Sequence, residues 1–220
     1  MKRRKYAVLF ILAVMFVAVC VPVPAQAKTS KKKKAMKAYT KFLKKNESKF
    51  TAVEGDTTTK NSENYKKCSS FMLLDLNKDG IAELITYHDV AYKTGNVYVY
   101  TYKKKKVKLL KDKNKNYAKV PLDSSGGGSH KIFACSNGHL HVHWTGGYLG
   151  YTKAAYTMKK GKFKEYLYLD VSSSSNKKIC RINGKDVKAK KVKKKLKSCK
   201  EIDNGEMKTN SKSKRKEFVK

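Results

Sequence analysis

The chain has 220 residues, with 52 lysines and arginines against 17 acidic residues, and its formal net charge is +35. Beyond residue 27 the only arginines are Arg181 and Arg215. Lysine lacks the planar fork with which arginine reads bases bidentately, so specific nucleic-acid recognition is not expected. Diffuse attraction to a polyanion is favoured instead, and a merely solvated lysine surface is the alternative.

The N-terminus has the three parts of a secretory signal peptide. A basic segment at residues 1–5 precedes an apolar run at residues 6–23, and Ala25 and Ala27 form a small-x-small cleavage site. We predict a signal peptide at residues 1–27 and a secreted protein, either free or associated with the cell wall. An uncleaved anchor is the alternative, since the run approaches the length that spans a bilayer. No membrane span is expected after removal of the signal.

The rest of the chain predicts strands with a helix near each end. Residues 28–34 are a basic lead-in, and apolar residues at helical spacing predict an amphipathic helix at residues 35–45. A lysine-rich helix is expected at residues 187–200, and the polar tail at residues 201–220 is expected to be disordered. Strands are predicted at 70–74, 82–87, 96–103, 107–110, 117–120, 131–135, 140–144, 151–158, 163–171 and 178–182.

Strands in succession, without alternation of strands and helices, favour an α+β fold that consists mainly of antiparallel sheet. The length that remains after the signal suits one domain of ordinary size. We therefore expect a single β-rich domain at residues 35–200.

The most specific motif lies between the first two predicted strands. Side-chain oxygens recur at Asp75, Asn77 and Asp79, the backbone carbonyl of Ile81 follows, and Glu83 adds a further carboxylate. Calcium takes six to eight oxygen ligands, and the intervening glycine allows the loop to turn sharply. We predict a Ca²⁺ site with a structural role and the weak affinity of extracellular modules. A metal-free turn is the alternative, because Asp, Asn and Gly are ordinary turn residues.

The segment LLDLNKDGIAELI at residues 73–85 resembles the calcium loops of dockerin-like and FG-GAP-like exported bacterial proteins. Together with the signal, the short helix and the tyrosine-rich hairpin VYVYTYKKKKVKLL, it resembles a broad group of secreted proteins of Gram-positive gut bacteria. The resemblance implies export and an EF-hand-like calcium loop, but no particular activity. This chain departs from the pattern in its single copy of the loop, in Asn77, and in Thr86 at the twelfth position.

Four cysteines remain after the predicted cleavage, an even number in an exported protein, so two disulfides are expected. Three pairings are possible, and we favour Cys180–Cys199 with Cys68–Cys135. Zinc binding is the alternative, although the chain has no Cys-x-x-Cys spacing.

His139, His141 and His143 alternate along a predicted strand, which places three imidazoles on one face. One interpretation is a second metal site for zinc or copper. The other is a solvated strand face. Consecutive residues on one face lie ~6.5 to 7 Å apart, so a straight row of three does not converge on one ion.

Trp144, Tyr148 and Tyr151 belong to a glycine-rich segment that predicts an aromatic hairpin tip. Exposed aromatic rings on a rigid hairpin suit contact with a glycan or peptide ligand. The alternative is that these rings fill the core, as aromatic residues mostly do.

The sequence predicts no catalytic residues. It contains no nucleophile elbow, no His-Glu-x-x-His and no phosphate loop. We predict an exported, calcium-stabilised, basic protein that binds anionic cell-wall polymers or glycans at the bacterial surface. The alternative is a secreted metal-dependent hydrolase that uses His139, His141 and His143.

Overall fold

The computed structural model describes residues 25–47, 68–91, 94–112, 119–123, 128–146, 150–175 and 177–217. The predicted signal peptide lies outside these ranges except for residues 25–27. Those three residues begin helix α1 (Ala25–Lys45), which is longer than the predicted helix at residues 35–45. The lead-in extends this helix because it contains no glycine or proline and lysine is a good helix former.

The remaining helices of the described ranges are α2 (Ala189–Lys197) and α3 (Lys212–Lys216). The strands are β1 (Cys68–Leu74), β2 (Glu83–Ala91), β3 (Thr94–Lys103), β4 (Lys106–Leu109), β5 (Lys119–Asp123), β6 (His130–Cys135), β7 (Leu140–Thr145), β8 (Gly150–Lys159), β9 (Lys162–Ser172), β10 (Lys178–Ile182), β11 (Lys185–Asp186), β12 (Glu201–Glu206) and β13 (Lys208–Thr209).

The strands form two antiparallel sheets. The first sheet has the order β13-β1-β2-β3-β4, with β5 also paired to β3. The second has the order β11-β10-β9-β8-β7-β6-β12. Neighbouring strands in both sheets mostly follow one another in the chain, as successive hairpins require. The predicted α+β class with mainly antiparallel sheet is confirmed.

Alternate residues along each strand point to opposite faces, and this alternation divides the core into three clusters. The largest lies between the two sheets and combines residues such as Ile85 and Val99 with Leu140 and Val142. On the other face of the first sheet, α1 packs Tyr39 and Leu43 against Phe71 and Leu84. On the other face of the second sheet, α2 packs Val192 against Leu167 and Leu169. We call these two outward faces the α1 face and the α2 face.

The tail at residues 201–220 was predicted to be disordered, and for residues 201–217, which form two strands and a helix, that prediction is wrong. β12 pairs with β6, β13 pairs with β1, and α3 follows. Polar contacts hold this segment in place. Arg215, which is 5% exposed, donates to Glu47 Oε2 at 2.7 Å and to Asn210 Oδ1 at 2.8 Å. The amide of Asn210 in turn donates to backbone carbonyls of α1 and β1. The domain therefore extends beyond its predicted end at residue 200.

A disulfide joins Cys135 to Cys199, with 5.6 Å between the Cα atoms. The prediction of disulfide bonding is confirmed for this one bond, whereas two bonds were expected. The favoured pairings Cys180–Cys199 and Cys68–Cys135 are wrong, since Cys135 and Cys199 are bonded to each other and Cys68 and Cys180 are buried thiols. The reason is the pairing of the tail. Glu201, at the start of β12, lies opposite Cys135 on β6, which brings the preceding Cys199 within bonding reach.

Candidate functional site

The loop between β1 and β2, residues 75–82, folds around its own acidic side chains. Asp75 accepts hydrogen bonds from the backbone amides of Asp79, at 3.1 Å, and of Gly80, at 2.7 Å. Asn77 Oδ1 accepts from the Asp79 amide at 2.9 Å, and Asp79 Oδ1 accepts from the amide two residues on at 2.8 Å. Gly80 adopts a φ of +86°, in the left-handed region that glycine favours. The sharp turn predicted at this position is therefore formed.

Glu83, the first residue of β2, places a buried carboxylate against this loop. Its side chain is 1% exposed; Oε2 accepts from the backbone amide of Leu76 at 3.1 Å and Oε1 accepts from the Thr101 hydroxyl at 3.3 Å. Burial is the main reason that the pKa of Glu83 rises to about 7. The two hydrogen bonds lower that pKa, while the charges of Asp79 and Asp75 raise it.

The loop offers carboxylate, amide and carbonyl oxygens, the donor types that calcium prefers, and its backbone amides fix the orientation of the aspartates. However, the carboxylate oxygens of Asp75, Asp79 and Glu83 do not all lie within 4.8 Å of one another. The Glu83 carboxylate points instead toward the backbone amide of Leu76. A calcium ion bound by all of the predicted ligands, including the Ile81 carbonyl, therefore requires the Glu83 carboxylate to turn toward the aspartates.

His139, His141 and His143 lie along β7 and the residue before it, on the α2 face of the second sheet. The ring centroid of His141 lies 5.7 Å from that of His143 and 5.3 Å from that of Phe133. The His139 ring lies 4.4 Å from the ring of Tyr166. Burial lowers the pKa of all three histidines, to about 4 for His141 and for His143. The three imidazoles are therefore neutral at neutral pH.

The three histidines do not form one set of metal ligands. Among the described residues, the group of three whose ligand atoms lie within 4.8 Å of one another is Cys135, His141 and Cys199. His139 and His143 are outside that group. The hydrolase alternative, which requires all three imidazoles at one ion, stays a prediction. The sequence pattern missed the two cysteines as neighbours of His141 because they lie on other elements.

A cleft of about 240 Å³ opens where β7, β8 and β9 meet at one end of the second sheet. The β7–β8 hairpin forms one side of it. Gly150 fits this position because it has a φ of +123° and because any Cβ there would overlap the backbone carbonyl of Val171. The lining residues are Trp144, Gly146, Gly150, Tyr151, Thr152, Asp170, Val171 and Ser172.

The cleft includes two of the three aromatic residues predicted to contact a ligand, Trp144 and Tyr151; Tyr148 lies outside the described residues. Trp144 is opposite Thr152 across β7 and β8, and Thr152 is opposite Asp170 across β8 and β9. The Thr152 hydroxyl donates to Asp170 Oδ1 at 2.6 Å. The sequence did not indicate Asp170 or Thr152, because only the strand register places them beside the tryptophan.

Lysines cover the exposed sides of two helices. The apolar residues of α1 and α2 face the sheets, so the lysines from Lys31 onward on α1 and those of α2 point to solvent. The exposed lysines are Lys31, Lys32, Lys33, Lys34, Lys37, Lys41, Lys44 and Lys45 on α1, and Lys190, Lys191, Lys193, Lys194, Lys195 and Lys197 on α2. None of the helices within the described ranges combines the length and the apolar character needed to cross a bilayer.

Comparison with protein-family models, with curated proteins and with solved structures finds no significant match to this chain. A proposal for its function therefore rests on the chemistry of the loop, the cleft and the charged surface.

Proposed function

We propose that this protein is an exported, calcium-stabilised binding protein whose ligand is an anionic glycan of the bacterial cell surface. The observation that carries the proposal is the cleft, in which the Trp144 ring and the Asp170 carboxylate lie on the two strands that flank β8 in a strongly basic protein.

The two sides of the cleft match the two kinds of surface on a sugar ring. The ring of Trp144 provides a flat apolar surface for the C–H face of the sugar, and aromatic side chains with a polar edge are well suited to such partly wet contacts. Asp170 and Thr152 provide an acceptor and a hydroxyl for the sugar hydroxyl groups. Pockets for drug-sized ligands begin at about 300 Å³, so this cleft suits a single sugar unit.

The anionic groups of the polymer belong outside the cleft, since Asp170 repels them inside it. Lys153 lies on the α2 face, opposite His143, with its Nζ 5.7 Å from the ring centre of Tyr151. The lysines of α1 and α2 extend the positive surface, and their summed field draws a polyanion toward the protein. Such attraction between exposed charges is screened by salt over a distance of about 8 to 10 Å at ordinary ionic strength.

Bound calcium would support this function by stabilising the loop between β1 and β2. Asp75, Asn77, Asp79, Ile81 and Glu83 would hold the ion, which would offset the repulsion among three carboxylates. The loop also contacts the second sheet, because the Thr157 hydroxyl of β8 donates to the Leu76 carbonyl at 3.5 Å. A rigid loop therefore helps to hold the two sheets together, and the cleft lies in one of them.

Co-sedimentation with an insoluble anionic wall polymer from Gram-positive bacteria tests the proposal. We expect binding that weakens as salt is raised, and a Kd about tenfold higher for Asp170→Asn, because hydrogen bonds to a charged group contribute about 1.5 to 3 kcal/mol. Asp186→Asn is the matched control, since it removes the same charge from an exposed position on β11. Equal binding by the wild type and both variants would show that the cleft has no part in recognition.

A further inference from the structure

A second kind of site is built into the α2 face, apart from the calcium loop and the cleft. The Sγ atoms of Cys135 and Cys199 and one ring nitrogen of His141 lie within 4.8 Å of one another. Thiolate and imidazole are the ligands of structural and catalytic zinc sites. In the oxidised protein the two sulfurs are joined to each other, so they are not thiolate ligands.

We propose that the reduced protein binds one Zn²⁺ ion through Cys135, Cys199 and His141, so that metal and disulfide are alternative links between β6 and the end of α2. A dithiol reductant supplies two electrons and two protons to the cystine, which becomes two cysteine thiols while the dithiol becomes a disulfide. Zinc then displaces the two thiol protons and binds two thiolates and the neutral imidazole. A water molecule completes the four ligands.

The change from disulfide to metal ligands needs only a small movement. Bonded sulfurs lie about 2 Å apart, whereas two thiolates on a tetrahedral zinc with Zn–S bonds of about 2.3 Å lie about 3.7 Å apart. Cys199 has room to make this movement because it lies two residues beyond the end of α2 and is only partly buried. Cys135, in contrast, is held at the end of β6. Metal can enter from the side of Cys199.

His141 is prepared to act as a ligand. It is 1% exposed, and its Nδ1 has no hydrogen-bond partner. A buried polar atom without a partner loses its hydration without compensation, so a new bond at this ring is favourable. The rings of Phe133 and His143 lie against the imidazole and limit its rotation.

Lysines near Cys199 favour its thiolate form. Lys194, Lys195 and Lys197 lie in the last turn of α2, just before Cys199. Positive groups near a cysteine stabilise its thiolate form. Two thiolates balance the double charge of zinc, so the completed site is neutral and the surrounding lysines do not oppose it.

The test compares two samples of the full-length protein, one reduced with a trialkylphosphine and one left oxidised. The phosphine becomes a phosphine oxide with the oxygen of water, and it leaves no competing thiol. After incubation with zinc and dialysis, we expect one zinc per reduced chain and none per oxidised chain. Absence of zinc from the reduced protein overturns the proposal.

Variants of the cysteines identify the sulfur ligands. The double variant Cys135→Ser/Cys199→Ser should lose zinc binding. Cys68→Ser/Cys180→Ser, which removes two buried thiols elsewhere, should retain one zinc per chain. Loss of zinc in this control pair, with retention in the first pair, would contradict the assignment.

Variants of the histidines identify the nitrogen ligand. His141→Ala should bind zinc at least tenfold more weakly than the wild type, whereas His143→Ala, on the same face of the same strand, should bind it equally well. Co²⁺ in place of zinc provides a second measurement, because thiolate ligands give it an intense charge-transfer absorption. Equal metal affinity of His141→Ala and the wild type overturns the assignment of His141.

Discussion

The carboxylate of Glu83 accepts a hydrogen bond from the backbone amide of Leu76 at 3.1 Å, across the base of the loop between β1 and β2. A second hydrogen bond, from Thr101 on β3, holds the other carboxylate oxygen. This geometry buries an acidic group beside Asp75 and Asp79. The stability of the protein should therefore depend on pH and on divalent cations.

Without a divalent cation, ionisation of Glu83 should destabilise the fold. Its pKa in the folded protein is about 7, against 4.5 as the ordinary value, so its favourable contribution is complete below pH 4.5 and is lost as the pH rises to 7. A shift of this size corresponds to about 3 kcal/mol. In the presence of chelator at pH 8, Glu83→Gln should raise the free energy of unfolding by about that amount, as measured by urea denaturation.

The exposed Glu206→Gln is the control for this experiment. It should leave the pH profile of the wild type unchanged. If wild type and Glu83→Gln instead show parallel profiles from pH 4.5 to pH 8, Glu83 does not ionise within the folded protein as described.

Calcium should stabilise the wild-type protein, and more at pH 8 than at pH 5.5, because Glu83 must lose its proton to bind the ion. A Kd of about 10⁻⁴ to 10⁻³ M gives about 1.4 to 2.7 kcal/mol of stabilisation at about 10 mM calcium. Thermal unfolding with calcium or with chelator measures the effect. Asp75→Asn should reduce it, and Asp186→Asn should not. Superimposed melting curves with calcium and with chelator would contradict the prediction that calcium stabilises the fold.

Loss of the Cys135–Cys199 disulfide should lower the stability of the fold. The bond closes a loop with a sequence separation of 64, for which chain entropy gives about 4 kcal/mol. Cys135→Ser/Cys199→Ser should therefore unfold at a clearly lower urea concentration in metal-free buffer. Peptide mapping of the oxidised wild type should recover the 135–199 linkage. A 180–199 linkage would show that the tail pairs differently.

Arg215 should anchor the C-terminal segment. Its guanidinium is buried and donates to Glu47 and to Asn210, so Arg215→Ala leaves these acceptors without their donor. We expect a loss of about 3 kcal/mol in the free energy of unfolding. Lys216→Ala, at the adjacent exposed position, is the control. Equal stability of the two variants would mean that the segment after residue 206 contributes nothing to the fold.

Local pattern was sufficient to predict most of the strands. Alternation of apolar residues located β7 and β8, and it also placed His139, His141 and His143 on one face. The contact between the His141 and His143 rings and that of His139 with Tyr166 on the α2 face agree with this placement. The loop after Leu74 was also recognisable from local sequence, since its oxygen ligands and its glycine are close together in the chain.

Contacts between distant segments were not predictable in this way. Asp170 reaches the cleft only through the register of β8 with β9, and Cys199 reaches Cys135 only because β12 pairs with β6. The order of the tail depends on Arg215 and Asn210, whose polar contacts leave no periodic signal. Composition alone classed this segment as disordered because it contains few apolar residues.

The most direct test of the glycan-binding proposal uses the fluorescence of Trp144, the single tryptophan of the chain, which lines the cleft. Titration with a soluble acidic oligosaccharide should change its emission in a saturable manner. The Kd should rise with salt, and it should rise about tenfold in Asp170→Asn but not in Asp186→Asn. Emission that stays constant while the protein still binds the wall polymer would place recognition outside the cleft and contradict the proposal.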